Sequence, residues 1–134
     1  IGIKLSKIII VSRRRIKIKT KIKTLFIKKN IKDLKKIPVT DYIIYSANSS
    51  NNLENLKGVH NFRNLLDQRH KKTKILFTSS GAVYGESINK KKFNEKNSIN
   101  LKMISKFKGY KKNYAITKIK MENIFKSLAE DNFK

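Results

Sequence analysis

The stretch KILFTSSGAVYG, Lys74–Gly85, decides how the rest of the chain is read. It opens as a short apolar run and breaks at Ser79, Ser80 and Gly81, which predicts a buried strand that ends in small polar residues. The same pattern recurs upstream. DYIIYSAN (Asp41–Asn48) is a strand ending in small polar residues, and KIIIVSRRR (Lys7–Arg15) is a β-branched run closed by three arginines. TLFIKKNIKDL (Thr24–Leu34) reads as a strand over Thr24–Ile27, a turn at Asn30 and one turn of helix that Pro38 closes. IKIKTKIK (Ile16–Lys23) alternates with period two, as an edge strand or an extended, solvated connection does.

Helical periodicity fills the remainder. Leu53, Leu56, Val59, Phe62, Leu65 and Leu66 recur at helical spacing and predict a helix over Leu53–Gln68. A polar connection from Glu86 to Lys112 precedes a second helix over Asn113–Asp131. Strands that alternate with helices imply an α/β fold with a parallel sheet and helical crossovers. Ligands bind such sheets beyond the carboxyl ends of the strands. The three strand ends SRRR, SAN and TSSG are therefore the expected site.

Composition narrows the function classes. The chain has 134 residues, with 33 Lys and Arg against 9 Asp and Glu, a net charge of +24. Such a charge attracts phosphate backbones. Here, however, the lysines are spread through every element and accompany abundant Ile and Asn, as in proteins encoded by A- and T-rich DNA. The basic run RRRIKIKTKIK also lacks the interleaved aromatics of a stacking platform, so nucleic acid is the secondary reading. With no cysteine there is no disulfide framework or thiolate metal site, and His60 and His70 lack ligand spacing, so no metal is expected. The chain has no apolar run of membrane-spanning length and no signal-peptide pattern, and it reads as soluble and cytoplasmic.

NYAITKIKMENIF (Asn113–Phe125) carries a tyrosine four residues before a lysine, Tyr114 and Lys118. In a chain this basic, with five tyrosines, that spacing alone has little weight. Ser80 gives it weight, because the end of the fourth strand and the following helix face the same carboxyl-end crevice. A phenol has an ordinary pKa of about 10, and a neighbouring ammonium favours its charged form. A serine hydroxyl can hold the substrate oxygen while the proton moves. Ser, Tyr and Lys together suit hydride exchange between a carbinol carbon and a nicotinamide.

ILFTSSGAVYG, followed by the acidic FNE and by YAITK, resembles the extended short-chain dehydrogenase/reductases, the NAD(P)-dependent nucleotide-sugar epimerases and dehydratases. DYIIYSAN looks like that family's fourth strand, NLKGVHNFRNLL (Asn55–Leu66) is similar to its Asn-x-x-Gly helix, and the opening IG resembles the last glycine of its phosphate loop. The resemblance implies a partial Rossmann-type, doubly wound parallel sheet over residues 1–134. It would be one NAD(P)-binding domain truncated at both ends, without the family's first strand or its C-terminal substrate domain.

The resemblance also implies roles. Tyr114 is the acid/base, Lys118 its partner and a ribose contact, and Ser80 the catalytic hydroxyl. Gly2, Thr78, Ser79, Ser46, Ala47 and Asn48 border the cofactor, and Asn30 and Ile31 flank the adenine. Asn55 and Tyr84 support the substrate, and Glu95 stands where the family has an acid. At the first strand end an acid would bind the ribose of NAD, whereas Ser12, Arg13 and Arg14 favour the extra phosphate of NADP. NADP is thus expected ahead of NAD, with a nucleotide-sugar-like substrate.

Three departures bear on activity. The first glycines of the phosphate loop are absent, only five residues separate Gly2 from IIIVS, and the Asn48–Asn55 connection is short. The loop supplies the amides that hold a pyrophosphate, so the chain alone is not expected to turn over substrate. A degenerate, non-catalytic relative, paired as a homodimer through its long helices, is a further alternative.

Overall fold

A computed structural model describes residues 5–85, 93–94 and 96–131; Gly2 and Glu95 lie outside the described residues. Each apolar run becomes a strand: β1 (Lys7–Ser12), β2 (Lys23–Lys28), β3 (Tyr42–Tyr45) and β4 (Lys74–Phe77). The fold is mixed α/β and all pairing is parallel, but the described strands form two pairs rather than one doubly wound sheet. β1 lies beside β2 from Lys7 opposite Lys23 to Ser12 opposite Lys28, and β3 beside β4 from Tyr42 opposite Lys74 to Tyr45 opposite Phe77. The alternating segment Ile16–Lys23 is a connection up to Ile22, its lysines exposed, and only Lys23 joins a strand.

Three helices complete the described chain: α1 (Asn52–Leu65), α2 (Leu101–Ser105) and α3 (Tyr110–Glu130). Asn51 caps α1, its side chain accepting from the N–H groups of Leu53 and Glu54. The helix stops three residues short of the expected Gln68. Asp67 there turns its carboxylate onto the Arg69 N–H and starts a separate 3₁₀ turn, Gln68–His70. α2 sits in the stretch expected to be a polar connection. Asn100 caps it through the N–H groups of Lys102 and Met103, and Ile104 is buried. α3 begins at Tyr110, one turn earlier than the sequence suggests, because Gly109 at φ 54° turns the chain into it.

The core lies between the β3–β4 pair and the two long helices. Tyr45, Val59, Phe62, Met121 and Leu128 are buried together, with Phe77 and Phe125 against them. Phe77 and Phe125 stack at 4.4 Å, and Tyr45 meets Phe62 at 5.0 Å and Phe125 at 5.2 Å. Each such ring is worth about 1.5–3 kcal/mol of burial. Strand alternation decides which side is covered: Ile43, Tyr45, Ile75 and Phe77 face the helices. Ile44 and Leu76, on the other face, remain 68% and 59% exposed.

The β1–β2 pair is tied in through the 3₁₀ turn Ile31–Asp33 that follows β2. Asn61 of α1 donates to the carbonyls of Ile31 (2.8 Å) and Leu34 (3.1 Å). Gly58 lets the turn approach α1, since a Cβ there would lie 2.7 Å from the Ile31 side chain. No helix among the described residues is long and apolar enough to cross a membrane.

Candidate functional site

The residues singled out in the sequence gather into two adjoining groups. The first stands where β4 ends against α3. Tyr114, Lys118 and Glu122 recur every fourth residue and share one helix face. Lys118 is only 4% exposed, an unusual place for an ammonium. Its Nζ lies 5.4 Å from the Phe77 ring and 5.7 Å from the Tyr114 ring, within cation–π range of both. Burial pulls the Lys118 pKa down, and the charge of Glu122 pulls it partly back. Tyr114 itself is half-buried and stacks on Tyr110 at 5.8 Å.

Past Phe77, Thr78 donates both its N–H (3.1 Å) and its hydroxyl (3.4 Å) to the Tyr45 carbonyl, which locks this strand end to β3. Ser79 donates its hydroxyl to the Glu122 carboxylate on α3. The Ser80 hydroxyl accepts from the Ala82 N–H at 3.3 Å and caps the 3₁₀ turn Gly81–Tyr84, which packs on α3. Tyr84 stacks on Phe93 at 5.6 Å. Ser80 thus caps a turn, and the serine bonded across to the Tyr–Lys helix is Ser79. Glu122 was missed by the sequence reading, although its spacing from Lys118 was there to be seen.

The second group lines a hollow of about 850 Å³ between β1 and β3. Ser12 and Arg13 border it at the end of β1, Asn30 and Ile31 after β2, and Ser46, Ala47 and Asn48 after β3. Two of the three expected strand ends, SRRR and SAN, therefore border one hollow, together with the end of β2; TSSG does not line it and belongs to the first group. Arg14 is exposed, and its N–H donates to the Ser12 hydroxyl at 3.3 Å. Asn30 spends its side-chain oxygen on the Lys32 N–H.

Asn55 also lines the hollow, but both polar atoms of its amide are engaged by the backbone of Ser49. It accepts from the Ser49 N–H at 2.6 Å and donates to the Ser49 carbonyl at 2.9 Å, so it shapes the β3–α1 connection. Glu54 beside it pairs with Lys32 at 2.5 Å and accepts from Ser49 at 3.2 Å, and the Lys32 bond holds its carboxyl below the usual range. Tyr45 closes the floor. Its hydroxyl is buried without a hydrogen-bond partner among the described residues, and burial pushes the phenol pKa well up. Among the described residues no three His, Asp or Glu side chains meet as metal ligands.

Compared with known proteins, the chain matches no family model, no curated protein and no solved structure.

Proposed function

We propose that the chain carries the proton-transfer site and part of the nucleotide cleft of an NAD(P)-dependent epimerase/dehydratase-type protein built on a Rossmann-type sheet. The observation that carries this reading is Lys118, buried one helical turn beyond Tyr114 with its ammonium within cation–π range of both the Tyr114 and Phe77 rings. Burying a cation without a hydrogen-bonded partner costs stability, and such groups concentrate at functional sites. Here the cation stands beside the Tyr114 phenol, a group suited to exchange a proton with a carbinol.

The hollow supports the nucleotide half of the reading. Small residues at Ser46 and Ala47 leave room for a dinucleotide against the backbone. Arg13, which makes no ion pair among the described residues, borders it as a phosphate partner. A bound nicotinamide supplies the hydride acceptor or donor. The chain's own work is to hold the proton at the Tyr114 hydroxyl, to set the Lys118 charge beside it, and to orient a substrate oxygen with Ser80 or Ser79.

Saturation-transfer NMR with millimolar NADP⁺ and NAD⁺ tests this directly. Transfer to the adenine and nicotinamide protons is expected for both, stronger for NADP⁺, and Arg13→Glu is expected to abolish the preference. Absence of transfer to either nucleotide, or transfer that Arg13→Glu and Lys118→Met both leave unchanged, refutes the reading.

A further inference from the structure

Lysines occur in every element of the chain, but acids do not. Residues 1–32 hold twelve Lys and Arg and no Asp or Glu, half of the net charge of +24 in under a quarter of the sequence. The densest part is Arg13–Lys23, where seven of eleven residues are basic. The structure makes this stretch the connection from β1 to β2. Those strands are parallel, with Ser12 opposite Lys28, so the chain leaves the carboxyl end of β1 and returns to Lys23 at the far end of β2. It travels back the length of β2, roughly 17 Å at about 3.3 Å per residue, on residues 13–22, fewer than a helical crossover takes. These residues form no helix. They make an open segment pinned near its ends, where the Arg14 N–H donates to the Ser12 hydroxyl at 3.3 Å and the Ile22 N–H to the Thr20 hydroxyl at 3.1 Å.

Arg14, Arg15, Lys17, Lys19, Lys21 and Lys23 are all exposed, and none pairs with an acid among the described residues. The isoleucines between them are exposed as well, Ile16 at 53% and Ile18 at 46%. Cations at this density repel one another and gain from a polyanionic surface. The exposed isoleucines decide which surface. Beside a phosphate backbone they stay in water, and no aromatic side chain between Arg13 and Lys23 offers a base something to stack on. At the headgroup boundary of a bilayer both kinds of side chain are satisfied. The ammonium groups stay with the lipid phosphates and carboxylates, and isoleucine enters the acyl boundary.

We propose that Arg14–Lys23 is a docking segment for an anionic phospholipid surface, held by its basic side chains and seated by Ile18. The partner is independent of the nucleotide reading. Arg13 and Ile16, which border the hollow, are left unchanged in the test, and the test contains no nucleotide.

Sedimentation with vesicles of phosphatidylcholine and phosphatidylserine, mixed three to one, measures the affinity beside vesicles of phosphatidylcholine alone. Binding to the mixed vesicles only is expected. Each Lys near such a surface is worth about fivefold, so replacing Lys17, Lys19 and Lys21 together with Gln is expected to weaken binding about a hundredfold. Replacing the exposed Lys108, Lys111 and Lys112 with Gln removes the same charge where α2 passes into α3, and is expected to weaken binding less than about threefold. The chain has no tryptophan, so Ile18→Trp supplies a single fluorescent reporter. Its emission is expected to shift to the blue on the mixed vesicles and to be quenched by brominated acyl chains.

Four results overturn the proposal. The first is no binding to the mixed vesicles. Equal weakening by the two triple variants is the second, and means that net charge alone drives binding. The third is reporter emission that the vesicles leave unchanged, which means that the segment does not enter the bilayer. The fourth is a short single-stranded RNA that binds more tightly than the mixed vesicles at equal ionic strength and is lost with Lys17, Lys19 and Lys21, which assigns the segment to nucleic acid.

Discussion

Replacing Lys118 with Met separates the demands of a site from the demands of stability. The variant keeps the unbranched stem and much of the volume, and deletes the charge. Taking an ammonium out of water costs several kcal/mol even after relaxation. Two aromatic faces at 5.4 and 5.7 Å return about 0.5–2 kcal/mol each, more as the site is drier. Glu122 attracts the charge, but its carboxylate already takes the Ser79 hydroxyl. The balance leaves the native cation unfavourable, and Lys118→Met is expected to stabilise the fold by about 1–2 kcal/mol at pH 7, about 3–6 °C in Tm. The size of this gain depends on pH. Burial holds the Lys118 pKa below its ordinary 10.5, so between the two values the unfolded chain binds more protons and wild-type stability rises with pH. The advantage of the Met variant is therefore largest near neutrality and shrinks by pH 10. Urea unfolding of both proteins at pH 7 and pH 10 measures it. A Met variant less stable than wild type at pH 7, by a margin that pH does not change, refutes a cation held at a cost.

Other substitutions probe the supports of the two groups. Gly58→Ala gains about 1 kcal/mol of helix propensity but sets a methyl 2.7 Å from Ile31 and 3.3 Å from the Tyr45 hydroxyl; a net loss of about 1–2 kcal/mol is expected from thermal unfolding. Tyr45→Phe removes a buried hydroxyl without a partner and keeps the ring contacts, so a gain of about 1 kcal/mol in urea is expected, and a loss means that the hydroxyl is bound. Asn55→Ala strips two hydrogen bonds from the Ser49 backbone and is expected to cost about 2–3 kcal/mol, with faster amide exchange across residues 46–51.

Much of this architecture was legible because apolar runs of four to six residues fix strands without help from the rest of the chain. KIIIVS, YIIY and KILF fell where they were expected, and Ser12, Asn30 and Ser46 border one hollow, although the fourth strand end, TSSG, stands apart from it. What failed was set by local polar chemistry. Asp67 ended α1 early, Gly109 started α3 early, and Asn100 capped a helix inside a polar stretch. None of the three is visible in hydrophobic periodicity. The site was harder still. Tyr114 and Lys118 could be placed on one helix face from their spacing, but whether Ser79 or Ser80 reaches that helix depends on one rotation of the chain after β4. Glu122 makes that choice from the same helix face, one turn beyond Lys118.

The strands contain a requirement that the described chain does not meet. An apolar run without alternation belongs to a strand buried on both faces. YIIY and KILF are such runs, yet only Ile43, Tyr45, Ile75 and Phe77 are covered, by α1 and α3. Ile44 and Leu76 lie 68% and 59% exposed on the bare face, and Leu5 and Tyr42 stand beside them at 52% and 45%. At about 25 cal/mol per Å² of apolar area, covering four such side chains is worth several kcal/mol. Ile44→Lys tests that requirement: it is expected to remove binding of a fluorescent apolar dye to the bare face while circular dichroism stays that of the wild type. Dye binding that Ile44→Lys leaves unchanged refutes an apolar face exposed at Ile44.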